Sequence, residues 1–136
     1  WILTNPSDGV AVALNQGGPA GQYGFINPYY GGATIIGGAA NAGTVLQVGG
    51  QSGAGNIVIN RSASNAQQLY KNGSEITNNS AASVAVHSST FGAFRTGSSY
   101  WNGQVAIAHI GSSLTSQEVS DMYDAFTDYL TSVGAI

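Results

Sequence analysis

Apolar residues along this chain come in short runs, broken by clusters of Gly, Asn, Ser and Pro. That spacing marks an all-β chain, in which each run is one strand and each cluster one turn. Strands are expected at residues 1–4, 10–14, 22–26, 33–36, 44–48, 56–61, 67–71, 74–77, 83–87, 91–95 and 104–110. Between them, Asn5-Pro-Ser-Asp-Gly9, Asn15-Gln-Gly-Gly-Pro19, Gly37-Gly38 and Gly49-Gly50 favour turns. The strongest local signal is Leu69-Tyr-Lys-Asn-Gly-Ser-Glu-Ile76. Asn72-Gly73 supplies the two positive φ angles of a type I′ turn, and strand-like residues flank it, so a hairpin is expected. No repeat of fixed period is evident. The interleaved Val, Ile and Leu runs argue for packed strands rather than disorder.

The period changes in the last quarter. Val119, Met122, Tyr123, Phe126, Leu130 and Val133 follow Leu114 at helical spacing and define one apolar stripe. Thr115 and Glu118 fit a capping box, in which each side chain satisfies an orphan N–H at the helix start. Gly134 suits a helix stop. The pattern predicts a mainly β domain over residues 1–136, with strands within 1–111 and one amphipathic helix at 115–132 lying over a sheet.

Composition narrows the chemistry. A chain of 136 residues has room for one core. Only 7% of residues are charged, against about a quarter in ordinary soluble domains. Three Lys/Arg against six Asp/Glu give a net charge of −3. Three scattered cations cannot displace counterions along a nucleic acid, nor hold an anionic membrane surface. No apolar run reaches the ~18 residues of a membrane span, so no membrane insertion is expected. Without cysteine there is no disulfide and no Cys-based zinc site. The chain opens at Trp1 rather than Met, which is expected of a trimmed product or the C-terminal part of a longer chain.

From Leu69 to Tyr123 the sequence resembles the C-terminal half of the laminin-G-like, or concanavalin A-like, jelly-roll family. The matching pieces are the Asn72-Gly73 hairpin, the small-residue strand Phe91-Gly-Ala-Phe94, Tyr100-Trp-Asn-Gly-Gln-Val-Ala-Ile-Ala-His-Ile-Gly111 and Leu114-Thr-Ser-Gln-Glu-Val-Ser-Asp-Met-Tyr123. The longer tail to Gly134 is similar to a variant at the C-termini of bacteriophage and bacterial surface proteins. The resemblance implies an antiparallel β-sandwich of jelly-roll type and a place on an extracellular or virion surface. It says little of function, since this fold hosts lectins, glycosidases and plain spacers. Many family members carry an acidic residue where this chain has Ala106.

Catalysis finds little footing. Retaining glycoside hydrolysis needs two carboxylates ~5 Å apart, whereas Glu75 adjoins a hairpin turn and Glu118 caps a helix. Gly50-Gln-Ser-Gly-Ala54 lacks the last glycine of a nucleophile elbow and no helix follows it. His87 and His109 read as strand residues satisfied locally. No enzyme activity and no cofactor are expected. Calcium stays open only at Asp8 with Asn5, a site with a single acid. Asp121, Asp124 and Asp128 share one helix face, read as a solvated acidic face or as a contact for a neighbouring subunit or basic partner.

Aromatic residues in turn contexts carry the functional expectation. Tyr29 and Tyr30 lie in Pro28-Tyr-Tyr-Gly-Gly32, and Tyr100, Trp101 and Asn102 in Ser99-Tyr-Trp-Asn-Gly103. Aromatic faces pack on sugar C–H groups while amides bond hydroxyls, so these five residues are the candidate carbohydrate-binding set. Trp101 also reads as a plug for the sandwich end. Two roles follow from this. One is a non-catalytic virion module, a phage fibre or decoration protein, that recognises a cell-surface glycan. The other is a structural module that packs against copies of itself as a homo-oligomer, since its uncharged sheet edges need cover.

Overall fold

The computed structural model describes residues 1–3, 12–14, 22–31, 33–42, 44–85, 91–93, 95–96, 99–100 and 103–136. Among the described residues, ten strands and one helix follow in chain order: β1 (Val12–Leu14), β2 (Gln22–Tyr30), β3 (Thr34–Ala42), β4 (Leu46–Gly49), β5 (Ile57–Ala63), β6 (Ala66–Lys71), β7 (Ser74–Asn79), β8 (Phe91–Ala93), β9 (Arg95–Thr96), β10 (Ser99–Tyr100) and α1 (Ser116–Ser132). The architecture is mainly β, with antiparallel sheets and one C-terminal helix. A five-stranded sheet has the order β4-β3-β2-β1-β8, a three-stranded sheet the order β5-β6-β7, and β9 and β10 pair separately. The chain therefore lays down four neighbouring strands, crosses to the second sheet for three more, and returns to set β8 beside β1.

Alternation along the strands builds the core. Ile35 of β3, Leu46 of β4 and Leu69 of β6 are almost wholly buried and pack together, with Val48, Ile57, Ile59 and Ile76 against them. Two sheets thus share one apolar layer. Each fully buried Ile or Leu contributes roughly 1.5–3 kcal/mol. Polar ties join the same elements. Buried Gln67 accepts the Ala39 N–H at 3.2 Å and donates to Thr44 O at 3.1 Å and Asn79 Oδ1 at 2.9 Å. Arg61 of β5 donates from Nε to Ala39 O at 2.6 Å and from Nη1 to Ala81 O at 2.8 Å.

The opposite face of the three-stranded sheet carries α1, because Val58 and Tyr70 point there and enclose Val119. Asn60 fixes the approach to the helix, donating to Leu114 O at 2.7 Å and accepting from Leu114 N at 3.0 Å. The Tyr70 hydroxyl meets Ser116 Oγ at 2.9 Å. The capping box forms as the sequence predicts: Glu118 N donates to Thr115 Oγ1, and Thr115 N donates to Glu118 Oε2. Gly134, at φ +69°, ends the helix in a Schellman arrangement, with Gly134 N bonded to Thr131 O and Ala135 N to Leu130 O.

Asn72 (φ +49°) and Gly73 (φ +79°) make the expected hairpin turn between β6 and β7. Asn72 Oδ1 also accepts the Asn56 N–H at 3.0 Å, which ties the turn to the start of β5. A side chain at Gly73 would meet Tyr123 at 3.2 Å, so the bare turn leaves room for that ring. Trp1 stacks on Tyr123, its ring centroid 5.4 Å away and its plane nearly parallel.

Several expectations fail, each for a visible reason. Gly37-Gly38 is not a turn but the middle of β3. A Cβ at Gly37 would lie 2.2 Å from Ile59 Cδ1 and 2.5 Å from Phe25 O, so the glycine marks where the sheets approach each other. Pro28-Tyr-Tyr belongs to β2 rather than to a turn, and the proline sits at a register shift between Asn27 and Tyr30, where a missing N–H is tolerated. Of the strand expected at 104–110, one bridge forms, Val105 to Ile2, flanked by bonds from Leu3 N to Gln104 O and from Ala106 N to Trp1 O. In 83–87 the described residues form no strand: Ser83 N donates to Ser64 O and Val84 N to Ala40 O.

Gly37→Ala is expected to destabilise the fold by about 3 kcal/mol, the upper range for overpacking. Adding Ile59→Val removes one of the two clashes and recovers part of the loss, because Phe25 O belongs to the backbone. Denaturant midpoints of the single and double variants check this ordering.

Candidate aromatic shelf on the five-stranded sheet

Tyr29 and Tyr30 close β2, and the chain turns through Gly31 at φ +58°. The register shift removes the Tyr29 N–H from the ladder, and Asn27 Oδ1 accepts it at 3.0 Å. With Pro28 fully buried between them, this local bond sets the direction in which Tyr30 leaves the strand. The two rings then differ. Tyr29 is half-buried, whereas Tyr30 is 50% exposed.

Register places the neighbours of Tyr30. It pairs with Thr34, and Thr34 pairs with Gly49, so the three form one cross-strand row. Directly opposed residues share a sheet face, with Cβ atoms about 5 Å apart. Ile35 and Val48 point into the core, so this row lies on the outer face, and exposed Gln47 joins it two residues before Gly49. A side chain at Gly49 would meet only Thr34 Oγ1, at 3.8 Å, and one at Gly50 would meet nothing within 4 Å. The result is an open shelf holding one phenol ring, one hydroxyl, one amide and bare backbone, with no charged group among these residues. Such a surface can stack on C–H groups and exchange hydrogen bonds with hydroxyls.

Tyr100 is in β10 and pairs with Arg95 in a separate two-stranded sheet. Trp101 and Asn102 lie outside the described residues, as do Asp8 and Asn5, the calcium candidates, and His87. Among the described residues no three His, Asp or Glu side chains converge on a point that suits a metal. Sequence reasoning found Tyr30 through its turn context but missed Thr34, Gln47 and Gly49. Their relation to it is one of register between strands, which no local pattern encodes.

The remaining candidates have local roles. Ser52 Oγ accepts the Ala54 N–H at 3.2 Å within its own loop. Glu118 serves the helix cap, and Glu75 Oε1 accepts from Asn78 Nδ2 at 2.6 Å. The His109 ring lies 5.9 Å from that of Phe126. Burial, and then the positive Trp1 amine, hold its imidazole below the ordinary value. Burial also lowers the Trp1 amine, which donates to Ile107 O, from 8.0 to about 6.

Compared with known proteins, the chain matches no family model, no curated protein and no solved structure.

Two predictions follow from these environments. Tyr30→Ala is expected to change stability by no more than about 0.5 kcal/mol, as for exposed positions, while Tyr70→Ala costs about 3–5 kcal/mol; paired unfolding curves decide. For His109 and the Trp1 amine, the unfolded chain binds more protons than the folded one. The Trp1 contribution is therefore full above pH 8 and is lost as the pH falls through about 6, while that of His109 is full above its ordinary value of 6.5 and is lost below it. The melting temperature is expected to drop between pH 8 and pH 6, with a shallower slope in His109→Gln.

Proposed function

We propose that this chain is a non-catalytic β-sandwich module, displayed on a virion or cell surface, that binds carbohydrate through the shelf around Tyr30. The observation that carries this reading is a half-exposed ring on the outer face of a sheet, beside Thr34, Gln47 and the open backbone at Gly49. A sugar is the ligand class such a surface suits, because it offers an apolar C–H face and hydroxyls together and needs no charge. Tyr29 and Asn27 act here as positioning residues. The core shared by two sheets, and the return of β8 to β1 after β5–β7, favour a jelly-roll sandwich of the concanavalin A-like kind.

Self-assembly is the second reading, favoured by one observation. Tyr129 and Val133 stand one helical turn apart on α1 and are 58% and 56% exposed. An apolar pair of this kind suits packing against another copy of the chain.

A glycan array read with wild type and Tyr30→Ala, beside light scattering of both, separates these roles. Recognition predicts binding that weakens by at least about tenfold in Tyr30→Ala, roughly 1.4 kcal/mol, with particle mass unchanged. Assembly predicts a stable oligomer that Tyr129→Ser with Val133→Ser dissociates, and no glycan signal that depends on Tyr30.

A further inference from the structure

A groove of about 480 Å³ runs over β6 and β7, away from the tyrosine shelf. Its size falls in the range of small-molecule sites, roughly 300–1,000 Å³. Gln68 and Asn78 are register partners across the two strands and form its wall. Gln68 adjoins the core residue Leu69 in β6 and therefore points away from the shared core, on the face that carries α1, where Asn60 donates to its Oε1 at 3.4 Å. The groove and the shelf thus draw on different sheets and share no residue.

Its floor is rigid. Gln67 has both ends of its amide engaged, and Asn79 Oδ1 accepts from Gln67 Nε2 and from Ala81 N. The wall is set as well. Gln68 Nε2 donates to Ser62 Oγ at 2.8 Å, and Asn78 Nδ2 holds Glu75 Oε1 at 2.6 Å. Among the lining residues, that leaves Glu75 Oε2, the Asn78 carbonyl, the Asn65 amide and the Ser80 hydroxyl with hydrogen-bonding capacity to spare.

This inventory selects a ligand class. Glu75 is the single charge in the lining and no cation accompanies it, which disfavours an anion. Ala66 is the only apolar side chain there, which disfavours an apolar ligand. A carboxylate oxygen accepts two hydroxyl protons, while amides and a serine both give and accept, so the complementary molecule carries adjacent hydroxyls. We propose that the β6–β7 groove is a second, polar binding site for a neutral saccharide, in which Glu75 accepts from a vicinal diol and Asn65, Asn78 and Ser80 bond its remaining hydroxyls. It stands on different residues from the shelf and does not depend on Tyr30.

The test follows the side-chain amide signals of Asn65, Gln68 and Asn78 in ¹⁵N-labelled protein. Glucose, galactose, mannose and N-acetylglucosamine are each added to about 100 mM, far above a millimolar dissociation constant. The expected result is saturable movement of these three signals with at least one sugar, about tenfold weaker in Glu75→Gln, weakened also in Asn65→Ala, and unchanged in Tyr30→Ala. No movement with any of the four sugars overturns the proposal. So does movement indifferent to Glu75→Gln, or a response to ethylammonium alone, which would make Glu75 a cation contact. Loss of shelf binding in Tyr30→Ala with the groove signals intact, or the reverse, shows which of the two sites has failed.

Discussion

The buried side-chain amide of Gln67 is the tie on which the rest of this structure depends. It reaches from β6 to the Ala39 N–H of β3 and to Thr44 O before β4, while holding Asn79 of β7. An amide without partners at such depth costs several kcal/mol, and a satisfied one fixes geometry. Because both ends of Gln67 are engaged, the two sheets can meet in only one register. The apolar contact of Ile35 and Leu46 with Leu69 then follows. Arg61, bonded to Ala39 O from β5, braces the same junction.

A chain with 7% charged residues cannot hold itself together mainly by ion pairs. Neutral amides take over that work wherever the backbone departs from regular structure. Asn27 recovers the N–H displaced near Pro28, Asn60 orients the entry to α1, and Asn72 anchors its hairpin to Asn56. Such bonds are less sensitive to salt than surface charge pairs. They also leave a neutral exterior in which one exposed ring or one carboxylate gains weight as a recognition feature.

Local signals in the sequence were read correctly. Asn72-Gly73, the Thr115/Glu118 box and the helical stripe through Val119 and Leu130 each depend on residues a few positions apart. What the sequence concealed is non-local. Gly37 looked like a turn residue because its reason for being glycine is Ile59, on another sheet. Pro28 looked like a turn residue because the bond that carries the strand past it, from the Tyr29 N–H, goes to the Asn27 side chain. The same limit governs the shelf: Tyr30 was legible, while Thr34 and Gly49 became its neighbours only through pairing.

The pairing pattern also sets an order of assembly. Strands β5, β6 and β7 and the helix after them join through short loops or a limited chain separation, whereas β1 meets β8 only after closing a loop of nearly eighty residues. Segment 1–3 must find residues 104–107, about a hundred positions away. Loop-closure entropy is spent before such contacts repay it, so long-range strands form late. Folding therefore begins in the local meanders β2–β4 and β5–β7, and the stacking of Trp1 on Tyr123 is its closing event.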